Sequence, residues 1–208
     1  MYHQAHQVSL GFTNQTFPPG VHICQIYSDH DERLDSLLKF LCSGLVAGER
    51  TACFTDNLAD DLLAAHLLEH GLSHADCVAS GALSKQSAKE VYFQNHRFDP
   101  DRMLDLLKAY HGDAEANGFP AARIIGEMDA GIQKMEGGSR LMEYESRVSL
   151  LLREHPITAV CQYNANTFDG AMIMNILKVH PLMVIRGAVV HNPFYLQPEE
   201  FLSKQGCA

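Results

Sequence analysis

Apolar residues in this chain follow two alternating patterns. Short, near-continuous runs occur at residues 21–27, 51–54, 91–93, 122–128, 157–163 and 182–190. Runs of that length, rich in Val, Ile, Leu, Ala and Cys, suit parallel strands buried on both faces. Between them, apolar positions recur at helical spacing. Leu34, Leu37, Leu38, Leu41 and Leu45 form one stripe, with Asp29 and Glu32 at capping-box spacing before it and Gly48 after it. A second helix is expected to start at Asp99-Pro100, an N-cap acid with proline at N1, and to place Met103, Leu104, Leu107 and Tyr110 on one face. Residues 57–70, 139–155 and 169–180 complete the helical set. The alternation predicts one three-layer α/β domain over residues 21–205, with a mainly parallel central sheet of five or more strands. Residues 1–20 are polar and end in Phe17-Pro18-Pro19-Gly20, which reads as a loose N-terminal arm closed by a turn. Residues 80–89 carry the weakest periodicity and fit a loop or an edge strand.

The first strand–turn–helix unit has the frame of a phosphate-binding loop without its working parts. Such a loop needs G-x-x-x-x-G-K-S/T, so that backbone N–H groups and a lysine can hold phosphates. Here the turn is Ser28-Asp29-His30-Asp31-Glu32, with three carboxylates and neither glycine nor lysine. Carboxylates repel a triphosphate. The scaffold therefore reads as one that has left nucleotide chemistry for sensing or regulation.

Composition narrows the partners. An apolar content of 46% and a charged content of 20% are ordinary for a globular domain. The formal net charge of −9, with scattered Lys and Arg, argues against direct binding to nucleic acid or an anionic membrane. No apolar run approaches the roughly 20 residues that span a bilayer, and the first residues lack a signal-peptide pattern. The six cysteines lie far apart, mostly inside apolar runs, as expected of reduced thiols in a cytoplasmic protein.

Ligands of open parallel sheets bind outside the carboxyl ends of the strands. That rule selects Tyr27 and Asp29, Thr55-Asp56, Glu127-Met128-Asp129, Gln162-Tyr163-Asn164 and His191-Asn192. In the segment from Arg123 to Asp129, alternation places Arg123, Ile125, Glu127 and Asp129 on one side. Glu127 reads either as a pocket acid or as a structural acid that caps a turn or pairs with Arg123. Glu145 interrupts the apolar stripe of Leu141, Val148 and Leu152, so its carboxylate needs a buried partner, for which Arg123 and Tyr163 are the candidates. His22, Cys24, Cys161, His180 and His191 offer metal-ligand atoms near element ends. No C-x-x-C or H-E-x-x-H motif supports them, and neither metal nor cofactor is expected. No G-x-S-x-G elbow exists and Cys161 lies within a strand, so no catalytic residue is assigned and an enzyme is not expected. The ligand-binding set is His22, Tyr27, Arg123, Glu127, Glu145, Tyr163 and Asn192.

Together these segments resemble the MEDS domain, the sensory domain of DcmR-type regulators of methanogens and methylotrophs. The likeness is carried by His22 and Tyr27, by residues 40–45 with Gly48-Glu49, by Tyr92 and Phe98-Asp99, and by Arg123 with Gly126-Glu127-Met128. It continues through Tyr144-Glu145, Cys161-Gln162-Tyr163, His180-Pro181, Asn192-Pro193-Phe194-Tyr195 and Pro198-Glu199-Glu200. The resemblance implies a degenerate relative of KaiC/RecA-type ATPases. It further implies a ligand-sensing module for small hydrocarbon derivatives, commonly joined to DNA-binding or histidine-kinase segments. With no room for those segments here, the expectation is a stand-alone sensor acting through a regulatory protein partner. Two other readings stay open. One is a residual nucleotide-binding or hydrolysing domain using Asp56, Glu127 and Asp129; the other is an interaction scaffold that forms homo-oligomers.

Overall fold

In the computed structural model, which describes residues 6–204, the elements run β1 (Val8–Ser9), β2 (Thr16–Phe17), β3 (His22–Tyr27), α1 (His30–Val46), β4 (Arg50–Phe54), α2 (Asp60–Glu69), α3 (His74–Ala79), β5 (Leu83–Gln86), α4 (Ala88–Tyr92), α5 (Pro100–Ala116), β6 (Ala122–Met128), α6 (Leu141–Glu154), β7 (Ile157–Asn164), α7 (Gly170–Val179), β8 (Leu182–Ile185), β9 (Ala188–His191) and α8 (Pro198–Lys204). Seven of the strands form one sheet in the order β5-β4-β6-β7-β3-β8-β9, parallel throughout except for the β8–β9 pair. The β1–β2 hairpin, α1 and α2 cover one face, where Leu37, Phe40, Leu41, Ile125 and Val160 pack. Helices α4 to α8 cover the other, around Phe98, Met103, Leu141, Ile157 and Tyr163. This is the expected three-layer architecture. Every residue of β6 is buried, as a central strand covered on both sides requires.

Three local expectations change. Residues 91–93 are not a strand. Ser87 accepts a hydrogen bond from the Glu90 amide, starts α4, and turns Val91 and Tyr92 into the core. The run 182–190 is a hairpin, because Arg186 (φ 49°) and Gly187 (φ 76°) take left-handed conformations that reverse the chain in two residues. The described part of the N-terminal arm, residues 6–20, is docked rather than loose, and residues 1–5 lie outside the described residues. Val8 and Leu10 are fully buried against α1. Residues 80–89 do hold an edge strand, β5.

The hairpin is tied down by Arg123. Its guanidinium passes from β6 across α1, with Nε 2.6 Å from Glu49 Oε2, and donates through Nη1 to Ser9 O (2.9 Å), Phe40 O (3.0 Å) and Ser43 Oγ (2.9 Å). Both Arg123 and Glu49 are completely buried. The guanidinium also lies over the Phe40 ring at 4.9 Å. Gly44 makes the passage possible, because a Cβ there would sit 2.5 Å from Arg123 Nε and 2.7 Å from Thr51 Oγ1. Arg123→Met leaves the buried Glu49 carboxylate with only the His6 ring, whose Nε2 lies 2.8 Å from Oε1, and loss of one partner of a buried pair costs about 3–5 kcal/mol. Urea denaturation of this variant should show that loss; a change below about 1 kcal/mol would mean that Glu49 finds another partner or water.

Candidate functional site

Strand alternation sorts the polar residues onto two faces. From β3, Gln25 and Tyr27 point to the α1 side, whereas His22 and Cys24 point to the α6 side. From β7, Gln162 bonds Gln25 on the first face, while Cys161 and Tyr163 reach Glu145 on the second.

On the α1 side, at the carboxyl ends of the strands, Glu127 gathers four neighbours. Tyr27 Oη donates to its Oε1 (2.8 Å) and Thr55 Oγ1 to its Oε2 (2.8 Å). Asn57 Nδ2 reaches both oxygens at 3.1 and 3.0 Å, and Arg33 Nη1 lies 3.5 Å from Oε2. Burial, and then the bond to Glu127, pushes the Tyr27 hydroxyl pKa upward, so it stays a donor. Above this floor opens a cleft of about 290 Å³ lined by Tyr27, His30, Asn57, Lys89, Glu127, Asp129 and Asn164. A second cavity of about 320 Å³ shares Lys89 and Asp129 with it and extends over Phe93, His96 and Met135. Its lining residue His96 sits at positive φ. A polar floor beside an apolar annex suits a small ligand with one hydrogen-bonding group.

The other acids near the cleft are already committed. Asp56 accepts from the Ser87 hydroxyl and the Lys89 amide, and Asp129 Oδ1 accepts from the Gly131 amide at 2.6 Å. Most telling is Asp29. Its Oδ1 accepts from the Asp31 and Glu32 amides at 2.7 and 3.1 Å. Those first-turn N–H groups are the ones a nucleotide-binding fold presents to phosphate. Here the chain's own carboxylate occupies them.

On the α6 side lies a second polar centre, buried beneath the sheet. Tyr163 Oη donates to Glu145 Oε1 at 2.7 Å, and Glu145 is fully buried. The Nε2 atoms of His22 and His180 lie 3.4 and 3.6 Å from Glu145 Oε2. The Cys161 thiol is 3.5 Å from His22 Nε2 and 3.8 Å from Glu145 Oε2. Burial lowers both imidazole pKa values to about 3, holding them neutral, and raises those of Glu145 and Cys161.

The seven expected ligand residues therefore occupy separate places. Tyr27 and Glu127 meet in the cleft. His22, Glu145 and Tyr163 meet beneath the sheet. Arg123 is not the partner of Glu145, nor of Glu127; it bonds Glu49 on the opposite face from Glu145. Asn192 donates to the Leu177 and His180 carbonyls and so braces the end of α7. A single pocket built from all seven does not form. The cleft residues Asn57 and Lys89, and Arg33 buried behind Glu127, are ones that pattern reading missed, since each lies on or beside a helix and carries no distinctive spacing.

Fold and cleft together define an α/β protein with a RecA-like fold whose α1 N-terminus is capped from within by Asp29. The structure is similar to a KaiC-like protein from the hyperthermophilic archaeon Pyrococcus horikoshii, with a TM-score of 0.58 and 13% identity over 86% of this chain and 79% of that one. It is also similar to the flagellar accessory protein FlaH from Methanocaldococcus jannaschii, with a TM-score of 0.57 and 12% identity over 88% of this chain and 83% of that one. At such identities the likeness is one of fold. Residues 21–181 match the MEDS family, the methanogen/methylotroph DcmR sensory domain, and the chain belongs to it. It is 27% identical over 173 residues to the transcriptional repressor DcmR of Methylorubrum extorquens, covering 76% of this chain and 57% of DcmR. The chain thus spans a little over half the length of that relative.

Glu127→Ala leaves Tyr27, Thr55, Asn57 and Arg33 without their common acceptor. It should destabilise the protein by about 3–5 kcal/mol, as expected when a buried charge loses its partner. Asn57→Ala, which removes one neighbour of several, should cost only about 1.5–3 kcal/mol in the same denaturation series.

Proposed function

We propose that this chain is a sensory module that binds a small, partly apolar molecule at the strand carboxyl ends. The favoured ligand is a short hydrocarbon derivative with one hydrogen-bonding group. Its polar end would meet Tyr27 and Asn57, and its carbon chain would lie along Phe93 and Met135. Occupancy would be passed to a DNA-binding or kinase partner inside the cytoplasm, without catalysis. The observation that carries this reading is the pairing of the self-capped α1 terminus with a cleft that is polar on one side and apolar on the other. Family membership and the likeness to a transcriptional repressor support the regulatory role. Among the described residues no helix is long and apolar enough to cross a membrane.

A residual nucleotide site is the competing reading, favoured by the KaiC-like fold. Against it stand the Asp29 cap and the prior engagement of Asp56, Glu127 and Asp129. Calorimetry with MgATP should give no saturable heat; magnesium-dependent binding in the micromolar range would overturn this assignment.

A panel of short alcohols, aldehydes and haloalkanes supplies the direct test of the ligand class. A binder present at 100 times its Kd should stabilise the protein by about 2.7 kcal/mol. Met135→Glu, which places a charge in the apolar annex, should abolish that gain. A panel with no stabilising member, or equal stabilisation of Met135→Glu, would contradict the reading.

A further inference from the structure

We propose that His22, Glu145, Cys161 and His180 form a closed, four-ligand site for a divalent first-row cation of the zinc type. The site is independent of the cleft: it lies on the other face of the sheet and shares no residue with it.

The geometry is the first argument. One ligand atom from each of the four residues lies within 4.8 Å of all the others. The separations are 3.4 Å (His22 Nε2 to Glu145 Oε2), 3.6 Å (His180 Nε2 to Glu145 Oε2), 3.5 Å (His22 Nε2 to Cys161 Sγ) and 3.8 Å (Glu145 Oε2 to Cys161 Sγ). Zinc bonds of about 2.0–2.3 Å arranged tetrahedrally give ligand–ligand edges of about 3.3–3.8 Å. Four of the six separations already match such edges, and the remaining two, from His180 to His22 and to Cys161, lie within 4.8 Å.

Hydrogen bonding behind the ligands is the second. His180 Nδ1 lies 2.8 Å from Ile176 O, and a carbonyl only accepts. The proton is therefore on Nδ1, and Nε2 presents a lone pair that has no hydrogen-bond partner although the side chain is fully buried. His22 Nδ1 lies 2.8 Å from Ser149 Oγ, whose own hydrogen is directed to Val179 O. The same tautomer follows, with Nε2 facing inward. Tyr163 holds the outer oxygen of Glu145, and Asn192 holds the carbonyl of His180. Three of the four ligands thus have an outer partner on the atom that does not face the centre, as resident metal ligands do.

Charge is the third. Without a cation, the inward atoms comprise two bare imidazole nitrogens, a carboxyl oxygen and a thiol, with at most two protons among them. Buried lone pairs left facing one another are unfavourable. A divalent cation accepts all four. The Cys161 thiolate and Glu145 carboxylate then neutralise its two positive charges, so no net charge is buried. Binding releases the thiol proton, and any proton on Glu145, to solvent. Mixed thiolate, imidazole and carboxylate donors favour zinc over calcium or magnesium. A complete protein shell fits a structural rather than a catalytic ion. Such an ion would join the start of β3, the middle of β7, α6 and the end of α7.

The test is the metal content and ligation of the purified, untagged chain. About one zinc per chain is expected, replaceable by cobalt(II) with a thiolate-to-cobalt charge-transfer band. Cys161→Ser should remove that band. Cys42→Ala, at the other His/Cys grouping with His66 and His70, should keep it. Tyr163→Phe should weaken zinc affinity about 10- to 100-fold, as loss of an outer-shell partner does. Because Cys161→Ser could fail to fold, X-ray absorption at the metal edge of the unmodified protein provides an independent reading. One sulfur and three nitrogen or oxygen neighbours are expected. A chain that takes up neither zinc nor cobalt, a shell with no sulfur or with several, or a band lost in Cys42→Ala would overturn the proposal.

Discussion

A parallel sheet covered on both faces leaves no water for the polar side chains that point from it, so each must find its partners inside the protein. This constraint organises the molecule. Arg123 and Glu127 leave the sheet toward a covering layer, Glu145 leaves its covering helix toward the sheet, and each is met by a separate set of partners. Arg123 bonds Glu49 and the carbonyls of Ser9 and Phe40, which fastens the N-terminal hairpin across α1. Glu127 collects donors from β3, α1 and the segment after β4 at the mouth of the fold. Glu145 faces histidines, a thiol and a phenol under the opposite layer.

The same logic applies at the turn that opens α1. An α-helix begins with amides that need acceptors. In a nucleotide-binding fold the ligand supplies them; here Asp29 does. Once the cap is internal, the turn gains nothing from a phosphate, and the carboxylates beside it repel one. The cleft is floored by a carboxylate satisfied by three neutral donors and the Arg33 guanidinium, and it continues onto apolar surface.

Much of the architecture was legible because long, unmixed apolar runs and capped helices leave few alternatives. The helix starts at Asp29, Asp99 and Asp169 are all side-chain caps. Shorter signals failed where a local bond outweighed pattern, as at Ser87 before Val91, or where a two-residue turn divided one apolar run, as at Arg186-Gly187. The site was legible only in part. Glu145 as an odd carboxylate in an apolar stripe could be read directly, with Tyr163 as one of two candidate partners; the other, Arg123, bonds Glu49 instead. His22 and Tyr27 could also have been separated, since positions five apart on a strand face opposite ways. Cys161 and His180 could be seen as ligand-bearing but not as neighbours, because their meeting depends on how α6 and α7 pack on β7. Sequence spacing carries no record of such a meeting.

Backbone amide chemical shifts, recorded while MgATP and then a panel of short hydrocarbon derivatives are added to the isotopically labelled protein, test the central claim most directly. The account expects MgATP to leave the Asp31 and Glu32 amides unmoved. It expects a binding hydrocarbon derivative to shift signals of Asn57, Lys89, Phe93 and Met135 together. Saturable shifts of Asp31 and Glu32 with MgATP, or hydrocarbon-induced shifts confined to residues outside the cleft, would contradict it.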